Sequence, residues 1–349
     1  PYDRDSETGY NVWINESLDY NVVADAMLED YYGLDKWFKP EVNLKLNIKP
    51  IPGLNYQQVV GYENRQWELH QYWPSTHRSE IDNSRKGHAH LAFSKTENLT
   101  SEGYFSYVKD FKGGHNLNAT AGYSYFEVNG ENFGMDNYNF SVDGIKYWDI
   151  GQGSYLTDGK AGMSSGKSVT ERLFSFFARA NYSYQDKYML SASIRHEGSS
   201  KFAADNRWAN FWSATAGWRI SNEEFMKDFD WLDDLKIRFG YGVTGNNDFS
   251  ATYMANMLGS DTNWMMPNGT WAYSYGKSQN VNPNLGWEEK KEWNLGVDYS
   301  FFEGRLYGKF DYYRREVDNL LFSVKVPQPP YTQGSQMQNI GSMESKGWE

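Results

Sequence analysis

The chain of 349 residues has no cysteine, no long apolar run and fewer basic than acidic residues. The missing cysteines exclude disulfides and a cysteine nucleophile, and they suit a protein that crosses an oxidising periplasm without crosslinks. A membrane-spanning helix needs about 18 or more apolar residues in succession, so none is predicted. The net charge of −11 argues against nucleic acid as a partner, because a phosphate backbone requires a basic footprint.

Aromatic residues are plentiful instead. They make up 17% of the chain, with 27 tyrosines and 14 tryptophans. Such rings suit the boundary between lipid and water, where one end of the ring is in an apolar medium and the other is wet. They equally suit a surface that binds sugars. The mean hydropathy of −0.77 permits a membrane β-barrel, whose loops and inward-facing residues are polar.

The segment 174–184, with the sequence FSFFARANYSY, alternates between two kinds of side chain. One set is aromatic at the ends and small in the middle, and the other set contains Arg179. Segment 188–197 repeats the pattern with Arg195 in its polar set. A period of two predicts β-strands. An aromatic-capped apolar face opposite a charged face predicts an all-β protein, a transmembrane antiparallel up-and-down β-barrel with lipid on one side and water or a plug on the other.

The pattern predicts about eleven strands, each near the roughly 10 residues that cross a bilayer at a tilt. They include a strand near 104–111 and a last strand around 339–343. Short turns are predicted near residues 50, 113, 186 and 303, and long extracellular loops at 71–85, 129–170, 198–207 and 244–286. Short turns on one side and long loops on the other are expected of an outer-membrane barrel. The connection 221–234 is longer than the other turns, and we expect one helical turn within it.

The charged side chains of the predicted strands fall on one face. We expect that face to line the lumen of the barrel, with the charges of Arg179, Arg195, Arg219, Arg238, Asp298 and Asp311. The opposite face is expected to contact lipid through Ala178, Ala192, Ala216, Ile237 and Val297. An arginine that faces lipid at the membrane midplane costs about 2–4 kcal/mol, whereas a charge in the lumen can be paired or wet.

Six segments occur in order along the second half: IRHEGSSKF (194–202), NRWANFWSATAGWRISNEEF (206–225), WLDDLKIRFGYGVTGNN (231–247), NPNLGWEEKKEWNLGVDYSFFEGRL (282–306), DYYRREVDNLL (311–321) and NIGSMESKGWE (339–349). Together they resemble the SusC/RagA-type TonB-dependent outer-membrane transporters. The resemblance covers roughly residues 170–349, and residues 1–169 resemble the family only as barrel-like hairpins. Trp212, Glu197 and Ser345 stand where the family usually has proline, aspartate and asparagine.

This resemblance implies that residues 1–349 are a partial barrel, about half of a 22-stranded one, with no plug domain in this chain. It implies active import of oligosaccharide or peptide from outside, without bond-making chemistry or a cofactor. The implied partners are a SusD-like surface lipoprotein that caps the barrel, the TonB complex acting through a plug, and lipid of a Gram-negative, Bacteroidetes-like outer membrane. We also expect the strands to fold only as part of a longer chain, because lipid does not tolerate open sheet edges.

The loop 245–287 carries more apolar rings than a solvated loop needs. We single out as candidate contacts of cargo or of the lid lipoprotein Trp264, Trp271, Tyr273 and Tyr275. Flat apolar faces stack well on sugar rings and on peptide side chains. The alternatives are contact with another protein and packing of the rings within the loop itself.

Two short motifs invite other interpretations that the sequence does not favour. Gly166, Lys167 and Ser168 lack the glycine spacing and the preceding buried strand of a phosphate-binding loop. His88 and His90 share one face of an extended segment, which suits a metal ion, but no third ligand lies nearby in the sequence. We therefore interpret both motifs as polar surface segments and predict no metal site.

Acidic pairs do not predict catalysis either. Residues 223–224 and 233–234 are adjacent carboxylates that point to opposite sides of an extended chain, whereas glycoside hydrolysis needs two that face each other. Residues 136–139 lack the glycine spacing of a calcium loop. We predict no catalytic residue. A soluble carbohydrate-binding or adhesive all-β module and an outer-membrane barrel enzyme stay as alternatives, and detergent dependence and a hydrolase assay would distinguish them.

Overall fold

The computed structural model describes residues 22–255, 258–260 and 264–349. Its strands, in chain order, are β1 (Asp30–Phe38), β2 (Glu41–Asn47), β3 (Leu54–Trp73), β4 (His88–Phe111), β5 (His115–Tyr138), β6 (Gly162–Lys167), β7 (Glu171–Tyr184), β8 (Tyr188–Ser199), β9 (Trp208–Arg219), β10 (Leu232–Asn246), β11 (Leu258–Ser260), β12 (Trp264–Met265), β13 (Trp271–Ala272), β14 (Tyr275–Lys277), β15 (Glu288–Phe301), β16 (Leu306–Asp318), β17 (Leu321–Lys325), β18 (Ser335–Asn339) and β19 (Ser342–Trp348). The α-helices are α1 (Val22–Leu28) and α2 (Arg78–Asp82). Within the described ranges, no helix is both long enough and apolar enough to cross a membrane.

The described chain divides into two compact units. The first unit consists of the described residues up to Pro40 together with Tyr62–Asn98 and Asn129–Ser168. The second consists of Glu41–Gly61, Leu99–Val128 and Val169–Glu349. The strands β3, β4 and β5 are 20, 24 and 24 residues long and contribute one part to each unit.

Within the second unit the strands are antiparallel neighbours in the order β2–β3–β4–β5–β7–β8–β9–β10–β15–β16–β19. Each strand pairs with the strands that precede and follow it in this order, which is the up-and-down arrangement that the alternating pattern predicts. The all-β antiparallel fold class is therefore confirmed. The first unit has its own antiparallel order, β1–β3–β4–β5–β6.

Tight turns join these strands where the sequence predicts them. Between β7 and β8, Gln185 and Asp186 both have a φ of 52°. Between β4 and β5, Gly113 and Gly114 have φ values of 88° and 84°. Consecutive left-handed residues give a turn the twist that matches two paired strands. The connection after β9 contains two single turns of 3₁₀ helix, Ile220–Asn222 and Glu224–Met226, in place of the one helical turn expected.

Three strands extend beyond their predicted ends. The loops expected at 71–85 and 129–170 begin inside β3 and β5, and the second of them also contains β6. The strand expected near 104–111 is the end of β4, which begins at His88. Polar residues occur on both faces of the extra segments of β4 and β5, so their period of two has little hydrophobic contrast. The last predicted strand, 339–343, is wrong as one element, because Gly341 with a φ of 79° separates β18 from β19.

Each unit has a small apolar cluster. In the first unit the buried members are Tyr72, Ala89, Phe140 and Tyr147. In the second unit they are Phe202, Phe211, Phe249, Leu285 and Trp287. Few side chains of the strands between the long loops are buried. The sheet is therefore held mainly by backbone hydrogen bonds between strands, and both of its faces are largely exposed.

Candidate functional site

The strand register of the second unit places the six predicted lumen charges on one face of the sheet, and Asp311 is among them because it and Arg238 both lie opposite Gly296. Arg179 lies directly opposite Ser193 on β8, and Ser193 lies opposite Ser213 on β9. Directly opposed residues project to the same side, and so do alternate residues of one strand. The same rule relates Arg195 to Ser193 and Arg219 to Ser213.

The pairings of β9 with β10 and of β10 with β15 place the charged residues of β10 and β15 on the same face. Arg219 lies opposite Lys236, and Lys236 lies opposite Asp298. Arg238, two residues after Lys236, lies on the same side. The register places the predicted lipid-contacting residues on the other face: Ala178, Ala192, Ala216, Ile237 and Val297. Which face meets lipid stays a prediction.

Arg238 and Asp298 form the best-defined ion pair of the charged face. Arg238 donates through Nε and Nη2 to the two carboxylate oxygens of Asp298, both at 2.8 Å, and through Nη2 to Asp311 Oδ2 at 3.2 Å. A bidentate guanidinium–carboxylate pair is both strong and directional. This pairing satisfies the requirement that a charge removed from bulk water has a partner.

Two other predicted charges on this face have partners of their own. Arg195 donates to Glu197 Oε1 through Nε and Nη2 at 3.1 and 2.9 Å. Arg219 lies 3.2 Å from Asp234 Oδ1. The structure thus brings Arg238 and Asp298 together, while Arg179, Arg195 and Arg219 occupy separate positions on the sheet.

The opposite face presents large apolar side chains. Its exposed members include Phe176, Leu190, Ile194, Phe239 and Phe310. Aromatic pairs stand at the turn end of this face, with Tyr184 and Tyr188 stacked at 6.4 Å between ring centroids. Large exposed apolar side chains that share one face of a sheet call for a covering partner or lipid.

The loop aromatics chosen from the sequence lie on small hairpins formed by β11 with β14 and β12 with β13. Trp271, Tyr273 and Tyr275 are 64%, 76% and 69% exposed. These three rings are therefore not packed within the loop. The backbone of Trp264 pairs with Ala272, and its side chain lies outside the described part of the structure.

Sequence reasoning missed a second aromatic group in the same loops. Phe202 from the loop 198–207 packs with Trp287 at 4.9 Å and with Phe249 at 5.2 Å. Leu285 is fully buried beside them, and Trp287 Nε1 donates to Arg207 O at 3.0 Å. The cluster joins two loops that are distant in sequence. In the sequence, the cluster is indicated only by Phe202, a single apolar residue within a polar loop. That residue identifies the cluster only when the positions of both loops are known.

The sequence of residues 2–349 matches the profile of the family described as TonB dependent receptor-like, beta-barrel. The chain belongs to this family. It is 32% identical to TonB-dependent receptor P39 of Formosa agariphila over 87% of this chain and 28% of that protein. It is 38% identical to TonB-dependent receptor SusC of Bacteroides thetaiotaomicron over 55% of this chain and 19% of that protein. The chain thus spans less than a third of the length of these relatives.

A solved structure described as the RagAB peptide transporter has the same fold. The superposition has a TM-score of 0.83 and covers 97% of this chain and 36% of that chain, at 22% sequence identity. At this identity the likeness concerns the fold. It agrees with the antiparallel up-and-down order of this TonB-dependent receptor barrel.

The two histidines that the sequence offers as possible metal ligands, His88 and His90, share a structural partner. His88 Nε2 and His90 Nδ1 lie 2.9 and 2.8 Å from the same oxygen, Asp136 Oδ1. The ring of His88 is stacked between Trp73 and Tyr138, and burial lowers the pKa of this histidine. Across the described ranges, no group of three or more His, Cys, Asp or Glu side chains is arranged to hold a metal ion.

Residues 136–139 are also engaged. Asn137 Nδ2 donates to Ile150 O and Gly153 O at 2.7 and 2.8 Å, and Asn139 Oδ1 accepts from Lys86 N at 2.8 Å. These bonds hold the connection after β5. The side chains of Asn137 and Asn139 thus bond to backbone groups of neighbouring segments.

Residues 166–168 belong to the strand pairing of the first unit. Gly166 and Lys167 lie in β6, with Lys167 opposite Glu131, and Ser168 Oγ accepts from Gly130 N at 2.6 Å. An extended, paired segment differs from the loop before a helix that binds phosphate.

The acidic pairs fix turns. Asp233 accepts hydrogen bonds from Ser300 Oγ and from the amides of Glu303 and Gly304 at 2.9–3.2 Å. Glu223 accepts from Tyr188 at 2.6 Å, from Trp218 at 3.1 Å and from Lys187 at 3.0 Å. The Tyr188 hydroxyl, followed by Trp218 and Lys187, lowers the pKa of Glu223 to about 2.

Proposed function

We propose that this chain forms part of the barrel of an outer-membrane importer, energised through TonB, that takes up oligosaccharide or peptide nutrients. A SusD-like surface lipoprotein would cap the barrel, and a plug domain outside this sequence would transmit the action of the TonB complex. The membrane would be the outer membrane of a Gram-negative bacterium of the Bacteroidetes type. Family membership and the likeness to SusC and to the RagAB fold support this proposal.

The observation that carries the proposal is the division of the sheet into two faces. One face holds Arg179, Arg238 and Asp298, and the other holds exposed apolar side chains such as Leu190 and Phe239. Water on both sides would leave the apolar face uncovered. Lipid on both sides would leave the charges without water, at a free-energy cost of several kcal/mol for each charge. Lipid on one side and a polar lumen on the other satisfies both faces.

Several acidic side chains of this chain have structural partners, which favours transport over catalysis. The carboxylates of Asp233 and Glu223 hold turns, and Asp298 and Asp311 pair with Arg238. A hydrolase would need a nucleophile or two facing acids open to substrate. We therefore propose a non-enzymatic importer.

We also propose that the exposed rings of the loop hairpins contact the cargo or the lid lipoprotein. Trp271, Tyr273 and Tyr275 present apolar faces to solvent, and such faces gain free energy when a sugar ring, a peptide side chain or a partner protein covers them. Trp264 belongs to the same proposal through its position in the neighbouring strand β12.

The test uses the full-length protein in its native outer membrane. A strain that lacks the gene should lose uptake of one class of labelled oligosaccharide or peptide, and the restored gene should recover it only while the proton gradient is intact. Uptake that is indifferent to the gradient would contradict energised import. A protein that is soluble and monomeric without detergent would favour the soluble adhesive module instead.

A further inference from the structure

A cavity of about 400 Å³ lies among three loop segments of the second unit. Its wall is formed by Ser250, Thr252, Tyr253, Ser278, Gln279, Asn280, Gln333, Gly334 and Ser335. Every residue of this wall is uncharged, and all but the glycine carry a hydroxyl or an amide. The volume falls within the range of about 300–1,000 Å³ that is usual for small-ligand sites.

One wall of the cavity is held rigidly by Asn280, which is largely buried. Its Nδ2 donates to Gln333 O at 2.7 Å and to Ser335 O at 2.9 Å, and its Oδ1 accepts from Thr332 N and Oγ1 at 3.2 and 3.1 Å. Gln333 Nε2 in turn donates to Lys277 O at 2.7 Å. Because these bonds fix the wall before any ligand arrives, little ordering is required on binding.

Another part of the wall offers hydroxyl groups. The ring of Tyr253 packs against the buried cluster of Phe202 and Trp287, and its hydroxyl makes no hydrogen bond within the described residues. The hydroxyls of Ser250 and Thr252 lie 2.7 Å apart, so one of the two donates to the other. A hydroxyl is one donor and two acceptors, which leaves capacity on all three residues.

Because the wall carries no charged side chain, the cavity favours an uncharged ligand. A carboxylate, phosphate or ammonium group that entered would lose hydration without meeting an opposite charge, which is unfavourable. A sugar presents several hydroxyls and no charge, so it can exchange bonds with water for bonds with these side chains. The exposed ring of Tyr275 lies on β14, which ends directly before Ser278 of the wall, and an exposed aromatic face suits a pyranose ring.

We propose that this cavity binds an uncharged sugar segment of the cargo. The proposal rests on the proposed import function and narrows its cargo class from oligosaccharide or peptide to neutral oligosaccharide. The exposed rings of the neighbouring hairpins would then extend the same binding surface.

Calorimetry on the full-length importer, purified in detergent, tests the ligand class. The probes are neutral oligosaccharide mixtures prepared from starch, xylan and mannan, an acidic oligogalacturonate mixture, and a tryptic digest of casein. At least one neutral mixture should bind at least tenfold more tightly than the oligogalacturonate and the peptides. Equal binding of the acidic mixture, binding of the peptides alone, or binding of no neutral mixture overturns the proposal.

A hydroxyl deletion locates the site. Tyr253→Phe removes one hydrogen-bonding group while keeping the packed ring, so the neutral mixture that binds should bind about three- to tenfold more weakly, which corresponds to the loss of one neutral hydrogen bond. Tyr307→Phe makes the same chemical change at an exposed residue of β16 and should leave binding unchanged. Thr252→Val, which keeps the shape of the side chain, gives a second measurement if Tyr253→Phe assembles poorly.

The result also separates the two proposals. Unchanged binding in both Tyr253→Phe and Thr252→Val overturns the site, even if gradient-dependent uptake of some cargo continues in cells. Loss of gradient dependence in the unaltered protein overturns the import function itself, whatever the cavity binds.

Discussion

Gly296 lies directly opposite Arg238 across the β10–β15 pairing, and the guanidinium occupies the space that a side chain at Gly296 would need. A Cβ atom there would lie 2.7 Å from Arg238 Cζ and 2.5 Å from Asp311 Oδ1. The missing side chain is what lets Arg238 reach two carboxylates, Asp298 and Asp311, across neighbouring strands. This glycine therefore serves an ion-pair network, and its own φ is not left-handed.

Gly296→Ala should destabilise the full-length protein by about 1–3 kcal/mol, the usual cost of forcing an extra group into a packed site. The free energy of unfolding from detergent or lipid bilayers measures the effect. Gly286→Ala is the matched control, since no atom lies closer than 4.0 Å to a Cβ built there. Equal stability of the two variants would mean that the network adjusts without loss.

The two faces of the sheet predict opposite responses to arginine. Ala216→Arg places a charge on the apolar face, where it should cost about 2–4 kcal/mol near the membrane midplane, and outer-membrane assembly should fall sharply. Thr215→Arg places the same charge on the polar face and should be tolerated better. The amount of heat-modifiable protein in outer-membrane fractions measures assembly. Equal amounts for the two variants would contradict the assignment of the faces.

Glu223 predicts acid sensitivity of the turn after β9. Its pKa is lowered to about 2 in the folded chain, chiefly by the Tyr188 hydroxyl, from an ordinary value of 4.5. A carboxyl with a depressed folded pKa contributes stability that is fully present above its unfolded pKa. That contribution should fall as the pH drops from about 4.5 towards 2 and vanish below both values.

Glu223→Gln removes the titrating group and keeps its shape. The free energy of unfolding of the unaltered protein should fall more steeply between pH 5 and pH 2 than that of the variant, measured by urea titration in the same detergent. The control is Glu224→Gln, which removes the adjacent exposed carboxyl that pairs only with Lys227 among the described residues. Parallel curves for the unaltered protein and Glu223→Gln would show that Glu223 does not govern the acid response.

The exposed and buried loop tryptophans predict different phenotypes. Trp271→Ala, with Trp264→Ala in the same variant, should weaken cargo uptake and leave assembly intact, because Trp271 is 64% exposed. Trp287→Ala should lower the free energy of unfolding by about 3–5 kcal/mol, since it empties a buried cluster. Uptake assays, lid co-purification and thermal melting distinguish the two. Wild-type uptake and lid association in the first variant would assign the exposed rings no role in either contact.

Local alternation is sufficient to predict the strands from β7 to β10. In that region Arg179, Ala192 and Thr215 each reveal their face through the period of two, because apolar and charged residues contrast strongly. The parts of β4 and β5 that lie in the first unit have much weaker contrast, with polar residues on both sides, such as His90 on one side of β4 and Lys95 on the other. Pairing with neighbouring strands holds them extended, and that information is not local.

Some features of the candidate site can likewise be predicted from local alternation, and others depend on contacts between distant segments. The grouping of Arg238 with Asp298 follows from alternation on adjacent strands, whereas the space above Gly296 depends on exact register. The cluster of Phe202, Phe249 and Trp287 depends on how two loops meet, which no single segment records. Tyr275 stands out in the sequence as one of several aromatic residues in a long loop, whereas the uncharged cavity is formed by three separate segments and has no local pattern.

The sequential antiparallel order has a consequence for how such a chain can change. Duplication or loss of a whole hairpin, such as β7 with β8, preserves the side to which every remaining residue points. Deletion of a single residue inside β9 would instead invert the two sides along the rest of that strand. Hairpins are therefore the natural unit of insertion and loss in this architecture, and one-residue gaps should be confined to the loops.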